Sequence, residues 1–321
     1  MSLAHHTYHY VNNSAGWQLE LKQCRPPEKI NKNRNALLII PGYGMNSFIF
    51  GYHPHGLSME EFLTQRGFEV WSVNLRACGG SVREKGGHER FTLKDLALTD
   101  LKCAIDYMND HVSSQTGKID LLGCSLGGTL AYIYASMSPH NKCGAIVSMG
   151  SPMRWEDVHP LIKLAFISPK IVGSLRVSYT KELIKLFFPL IVNSPFLKLY
   201  LHKEMVDLRN QNILLESVEN PNRFINREIA QWVRRKDLIV GSKNLTQELK
   251  KINNPLLCIV ANEDGVVPAM TALSAHEVIG SKIKETLVVG TESLRFAHAD
   301  LFVSNHCHEM VFKPMAEWLL G

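Results

Sequence analysis

The chain has 321 residues, 45% of them hydrophobic and 20% charged, which allows a sizeable core in one large domain or a domain with an insertion and excludes a chain without one. The formal net charge is +5, yet residues 152–236 hold 14 Lys and Arg against 8 Asp and Glu while the rest is close to neutral; such an excess suits anionic ligands, anionic membrane surfaces or, more simply, a solvated face. The 7 cysteines have scattered spacings and no CxxC pair, which argues against a disulfide framework and for free thiols in a reducing compartment.

In chain order, Met1 to Tyr10 carries neither a basic n-region nor an apolar h-region, so no secretory signal and a cytoplasmic location are expected. His6–Val11 and Trp17–Cys24 alternate as paired strands around Asn12–Gly16. Ala36–Ile40 is a continuous apolar run ending at Pro41-Gly42, as expected of a strand buried on both faces of a parallel sheet. A helix opens behind Ser58 as its cap and closes at Gly67. Phe68–Leu75 reads as the next strand, and Thr92–His111 as a helix with Leu93, Leu96, Leu101, Ile105 and Met108 at helical spacing. The apolar run Lys118–Leu122, a tight turn, the helix-forming stretch Gly128–Ala135 and the buried strand Cys143–Gly150 follow.

From Pro152 to about Lys236 no strand is predicted, only helix-like pieces such as Leu161–Ile167, Lys181–Phe188 and Phe196–Met205, punctuated by prolines. Its most apolar stretch, Leu183–Val192, is broken by Lys185 and Pro189 and is too short to span a bilayer, so no transmembrane segment is expected. Alternation resumes at Pro255–Asn262, with a helix at Ala269–Ile279, a strand at Glu285–Val289 and a closing helix at His306–Leu320. The predicted class is α/β, a mostly parallel doubly wound sheet built from residues 1–151 and 237–321, with 152–236 as an inserted helical cap.

Gly123-Cys124-Ser125-Leu126-Gly127 sits between a strand and a helix, the setting of a nucleophile elbow. The glycines leave room at positions flanking a strained serine, and the free N–H groups of the following helix favour negative charge beside it. A serine hydroxyl near neutral pH needs a base, and the base an orienting acid. Asp264, in the turn Asn262-Glu263-Asp264-Gly265 after a predicted strand, is the preferred acid, with Glu263 as the alternative. His298, after the last strand and before the closing helix, is the preferred base over His276, His306 and His308. The backbone N–H groups of Leu126 and of Tyr43, in the glycine loop Pro41-Gly42-Tyr43-Gly44, are the expected oxyanion donors. Cys124 is read as a buried packing residue. His53-Pro54-His55 and His306-Cys307-His308 each bring metal-ligand types together, but neither has a matched set of further ligands nearby, so no metal is expected. No dinucleotide or P-loop fingerprint is present, and no cofactor is implied. The basic stretch lacks the aromatic interleaving of a nucleic-acid surface.

The order Ser125, Asp264, His298, the elbow, the oxyanion-type loop and the insertion after the strand behind the elbow helix together resemble an α/β-hydrolase of the esterase and lipase type, over nearly the whole chain. The resemblance implies that the insertion is a lid shaping an acyl pocket. Two stretches depart from the usual pattern: Pro41-Gly42 stands where many relatives have His-Gly, and Arg76-Ala77-Cys78-Gly79-Gly80-Ser81 where many have Arg-Gly-x-Gly-x-Ser. A narrower resemblance links His298-Ala299-Asp300-Leu301-Phe302 and Glu317-Trp318-Leu319-Leu320 to the end of polyhydroxyalkanoate synthases, which carry cysteine at the elbow centre. The expected function is hydrolysis of a small-molecule, lipid-like carboxylic ester with an apolar acyl chain. An acyltransferase on the same triad and a non-catalytic ligand-binding protein are the alternatives, and a homodimer is left open.

Overall fold

A computed structural model describes residues 2–24, 30–166, 169, 182, 187 and 192–321. Eight strands form the main sheet: β1 His6–Asn12, β2 Trp17–Cys24, β3 Ala36–Ile40, β4 Val70–Asn74, β5 Ile119–Cys124, β6 Cys143–Met149, β7 Leu256–Ala261 and β8 Lys284–Val289. They lie in the order β8-β7-β6-β5-β3-β4-β2-β1, with a short strand at Val82–Arg83 paired to the start of β2. The pairs from β8 to β4 are parallel, and β1 and β2 run antiparallel at one edge. The fold is therefore the doubly wound α/β class.

The central strands are apolar throughout because both faces are covered. In β3, Leu38 and Ile40 join a core with Trp71, Leu101, Ile105, Leu130 and Ile133, while Leu37 and Ile39 join another with Phe62, Leu63, Leu301, Phe312 and Met315. The two-residue period of a strand thus divides one five-residue run between two cores.

Helix α1, Met59–Thr64, begins with a full capping box: Ser58 Oγ accepts from the Glu61 N–H at 3.2 Å, and Glu61 Oε2 accepts from the Ser58 N–H at 3.1 Å. The helical run from Leu93 to His111 contains a wider π-type turn at Leu96–Leu101, and its regular C-terminal part, Lys102–His111, is α2. The wider turn carries Asp100, which is fully buried and accepts from Arg76 Nε at 2.8 Å, the Arg76 N–H at 3.1 Å and Asn13 Nδ2 at 2.6 Å. Helix α3, Leu126–Met137, follows β5 directly, and α4, Arg223–Arg235, α5, Ala269–Val278, and α6, Lys313–Leu320, complete the set used below.

The expected closing helix at His306 starts two residues late, with a wide turn at His308–Phe312 ahead of α6. Between β6 and β7 the sequence reading needs correction at two places. The expected helix over Phe196–Met205 shrinks to a turn at Pro195–Lys198, because the next residues are drawn into bonds with other loops. Helix α4 is not among the pieces named from the sequence, although Ile225, Ile229, Trp232 and Val233 have helical spacing and are buried in one core cluster, with Trp232 edge-on to Trp155. The expected helix at Lys181–Phe188 lies outside the described residues save for Glu182 and Phe187. An isolated antiparallel bridge joins Arg154, soon after β6, to Asp237, beyond α4. Among the described residues no helix is long and apolar enough to cross a membrane.

Breaking a buried ion pair leaves an uncompensated charge and typically costs about 3–5 kcal/mol. Asp100→Ala is expected to lower stability by about that amount in urea titration, and a joint Arg76→Met, Asp100→Leu replacement should recover most of the loss.

Candidate active site

The sheet has a switch in winding direction: from β3 the chain runs to β4 on one side and then returns to β5 on the other. Crevices at such points, outside the carboxyl ends of the strands, are where ligands bind in open α/β sheets. Here that crevice lies between the loop after β3 and the turn after β5.

Ser125 occupies the turn with φ 52° and ψ −123°, a left-handed conformation that is costly for any residue with a Cβ. Its N–H donates to Met149 O at 2.8 Å, tying the turn to the end of β6. The neighbouring glycines are required by contact. A methyl group on Gly127 would lie 2.1 Å from Ile40 O, and one on Gly123 would lie 2.3 Å from the Gly128 nitrogen. With no side chains there, α3 can start flush against β3 and β5. Ser125 is the accessible residue of its turn, whereas Cys124 is fully buried with its sulfur 3.7 Å from Met149 Sδ, and burial drives its thiol pKa upward. A thiol so placed packs and does not react.

His298 and Asp264 come together from loops 34 residues apart: His298 Nδ1 donates to Asp264 Oδ2 at 2.6 Å, and both side chains are buried. Asp264 Oδ1 accepts from the Val266 and Val267 N–H groups, each at 2.8 Å, so the carboxylate is held from both ends. With its Nδ1–H donated to the aspartate, the imidazole keeps Nε2 as the free base nitrogen. Gly150, which follows β6 with φ +54°, flanks this pair: a methyl group there would be 3.1 Å from Asp264 Oδ2 and from His298 Nδ1. Ser125 and the His–Asp pair thus share the carboxyl ends of β5 and β6. Glu263, the alternative acid, is half exposed and faces His202 Nε2 at 3.3 Å instead.

The loop after β3 reaches the same place. A methyl group on Gly42 would lie 2.9 Å from Ser125 Cβ, so Gly42 is the point where backbone must touch the serine. Tyr43 follows it, half-buried, and Leu126 opens α3, where the first N–H groups of a helix have no intrahelical partner. Tyr43, Leu126, Met45, Phe91, Leu130 and Ile225 are among the walls of a narrow cavity of about 50 Å³. A larger hollow, about 1040 Å³, opens near Asp120, Cys143 and Pro255, at the opposite ends of the strands from Ser125.

The site is also braced by residues between β6 and β7. Leu199 O accepts from the Gly265 N–H at 3.1 Å, beside Asp264, and Tyr200 O accepts from the Ala299 N–H at 2.7 Å, beside His298. His202 donates through Nδ1 to the buried Asp300 at 2.9 Å, and Asp300 also accepts from the Ala297 N–H at 2.8 Å. Burial raises the Asp300 pKa against the opposing pull of His202 and the N–H groups. Neither His202 nor Asp300 was singled out from the sequence as a site residue. Asp300 stands in the motif around His298, but nothing near His202 signals its partner.

The two histidine-rich stretches need a correction. They are brought together, with candidate ligand atoms of His53, Cys307 and His308 within 4.8 Å of one another. Hydrogen bonding accounts for the cluster. His53 Nδ1 accepts from the His55 N–H at 3.0 Å, so its Nε2 keeps the proton and faces Cys307 Sγ at 3.3 Å, while His308 Nε2 donates to Leu57 O at 2.7 Å. Burial lowers the His53 pKa to about 4 and pushes the Cys307 thiol well up.

A family model, Hydrolase_4, described as serine aminopeptidase, S33, matches residues 31–291. Among curated proteins, the chain is 21% identical over 289 residues to the poly(3-hydroxyalkanoate) polymerase subunit PhaC of Haloferax mediterranei, covering 81% of this chain and 54% of that protein. The chain thus spans about half the length of that relative. Among solved structures, a soluble variant of monoglyceride lipase from Saccharomyces cerevisiae superposes with a TM-score of 0.67 at 15% identity, over 99% of this chain and 96% of that one. The esterase EaEST from Exiguobacterium antarcticum gives 0.64 at 16%, over 98% and 100%. At these identities the structures are alike in fold.

The strain at Ser125 has a measurable consequence. A left-handed non-glycine residue stores about 1–3 kcal/mol, and glycine gives back roughly 0.5–1 kcal/mol through its freer unfolded chain. Ser125→Gly is therefore expected to raise the urea midpoint, by a net gain of about 1 kcal/mol.

Proposed function

This chain belongs to the Hydrolase_4 (serine aminopeptidase, S33) family of α/β-hydrolases, and from that premise we propose that it is a serine hydrolase of carboxylic esters that carry an apolar acyl chain. The observation that carries the reading is the buried 2.6 Å bond from His298 to Asp264, a pair that packs on Gly150, the residue after the Met149 carbonyl that holds the strained, accessible Ser125. In this mechanism His298 Nε2 takes the hydroxyl proton as Ser125 Oγ attacks the ester carbonyl. Asp264 keeps the imidazole oriented and stabilises its cation, and the Tyr43 and Leu126 N–H groups hold the oxyanion. The leaving alcohol takes the proton from His298. Water, activated by the same histidine, then releases the acid and frees Ser125.

Residues 152–236 act as a helical cap on a core of residues 1–151 and 237–321. The pairing of Arg154 with Asp237, which closes the segment on itself, supports this division. The apolar walls beside Tyr43 and Leu126 support an apolar acyl group, and a monoglyceride lipase among the structural neighbours agrees with a lipid-like ester. Acyl transfer is a second reading, favoured by the likeness to a polymerase subunit. It would use the same acyl-serine with an alcohol or thiol in place of water.

A fluorophosphonate should label Ser125 and fail to label Ser125→Ala. On a chromogenic ester, Ser125→Ala should lose roughly 10⁴- to 10⁶-fold in kcat, and Asp264→Asn about 10⁴-fold. Retained turnover in Ser125→Ala would overturn the mechanism, and turnover of an aminoacyl anilide in preference to esters would overturn the substrate class. Free acid as the main product in the presence of competing alcohols separates hydrolysis from transfer.

An acyl series tests the pocket separately. Each buried methylene is worth about 0.8 kcal/mol, so kcat/KM should climb by up to about four-fold per CH2 from acetate until the cavity is filled. A steady fall beyond acetate would exclude an apolar acyl pocket.

A further inference from the structure

We infer that residues 217–226, outside the Ser-His-Asp constellation, set the position of the loop after β3 against Ser125, with Glu219 and Asn226 as positioning residues. The inference rests on the proposed role of the Tyr43 N–H as an oxyanion donor.

The loop is suspended between two supports. On the core side, Gly42 packs on Ser125, and the Ser47 N–H donates to Asn74 Oδ1 at 2.8 Å. Asn74 in turn donates to Glu20 Oε2 at 2.5 Å, which anchors that end to the sheet. Between these points the bonds run the other way. The Glu219 N–H donates to Gly44 O at 2.9 Å, and the Asn46 N–H donates to Ser217 O at 2.8 Å, on either side of a bridge between Met45 and Val218. Gly44 has φ +71°, so the chain reverses at the residue that Glu219 holds.

Side chains reinforce the backbone. Glu219 Oε1 accepts from Asn46 Nδ2 at 2.5 Å and from the Gly79 N–H at 2.9 Å, joining the loops after β3 and β4 through one carboxylate oxygen. Asn46 Nδ2 also donates to Glu216 O at 3.0 Å. The Tyr43 hydroxyl donates to Asn226 Oδ1 and lies 3.3 Å from Asn222 O, so both ends of the loop are held by α4 and the residues leading into it. Burial pushes the Tyr43 hydroxyl pKa up, which keeps it a donor.

An oxyanion donor works only if it is already in place when charge develops, since donors that must move pay for reorganisation during the reaction. Removing one donor outright costs about 10²- to 10³-fold in kcat, and a donor allowed to drift loses part of that. The effect falls on kcat more than on KM, because the bond matters chiefly in the transition state.

Four proteins test this: the wild type, Glu219→Ala, Glu219→Gln and Tyr43→Phe, the last removing the hydroxyl while leaving the Tyr43 N–H intact. Deuterium uptake of a peptide covering residues 42–47 reports loop position independently of any activity. Uptake should quicken in Glu219→Ala and Tyr43→Phe, and Glu219→Gln, which retains Oε1 as an acceptor, should restore most of the protection. With a short-chain ester, kcat should fall about 10- to 100-fold in the first two, with KM within about two-fold. Unchanged uptake would overturn the inference whatever the activity. Quickened uptake with unaltered kcat would overturn the link to catalysis. If the wild type shows no Ser125-dependent ester turnover, the proposed function fails, while the uptake result still decides whether Glu219 holds the loop.

Discussion

The close approach of α3 to the ends of β3 and β5 is the constraint from which the rest of the site follows. A helix cannot begin directly off a strand and lie against its neighbour unless side chains are missing at the contact. Gly123, Gly127 and Gly128 supply that absence. Ser125, caught between them, has to take a left-handed conformation, which lifts its hydroxyl out of a turn whose other members are buried. The same approach brings Gly42 against the serine, so the loop after β3 and the start of α3 converge at one point. The position of this point follows from the winding of the sheet, since β3 and β5 are neighbours only because the chain reverses direction between them.

Around this junction hydrogen bonds reach across from loop to loop. Asp264 is fixed by two backbone N–H groups and by His298. The loop bearing His298 is fixed by Asp300, itself held by His202. Leu199 O and Tyr200 O meet the turns beside Asp264 and His298, while Ser217 and Glu219 meet the loop after β3. Residues between β6 and β7 therefore touch the loops after β3, β7 and β8. Such an arrangement makes this segment part of the scaffold of the candidate site. It also explains why a helix predicted over Phe196–Met205 is cut to a turn: the backbone groups there are committed to Gly265 and Ala299.

How much was legible depends on the reach of each signal. The strands at Ala36–Ile40, Cys143–Met149 and Leu256–Ala261 were readable almost to the residue, because burial on both faces writes itself as an unbroken apolar run. The capping box at Ser58 was half readable, from the serine alone. Ser125, Asp264 and His298 were legible as candidates through local motifs and their order in the chain. Helix α4 had a readable stripe at Ile225, Ile229, Trp232 and Val233, masked by the charged residues between them. Residues whose importance lies in a distant partner had no such signal. His202 looks like any other histidine until Asp300 is beside it, and Glu219 like a surface acid until Asn46 and Gly79 share its oxygen. The His53 and Cys307 stretches show the reverse, since each looked isolated and the fold joins them.

The sequence by itself determined the fold class, the strand-to-helix turn that strains Ser125 and the order of the three candidate catalytic residues. These follow from periodicity, glycine placement and chain order, which are local or one-dimensional properties. Only the tertiary structure decided which carboxylate meets His298, what holds the loop after β3, and that His53, Cys307 and His308 meet. Those outcomes depend on distances between residues far apart in the chain, and hydrogen bonds, unlike apolar burial, are satisfied only by a partner at one place and one angle.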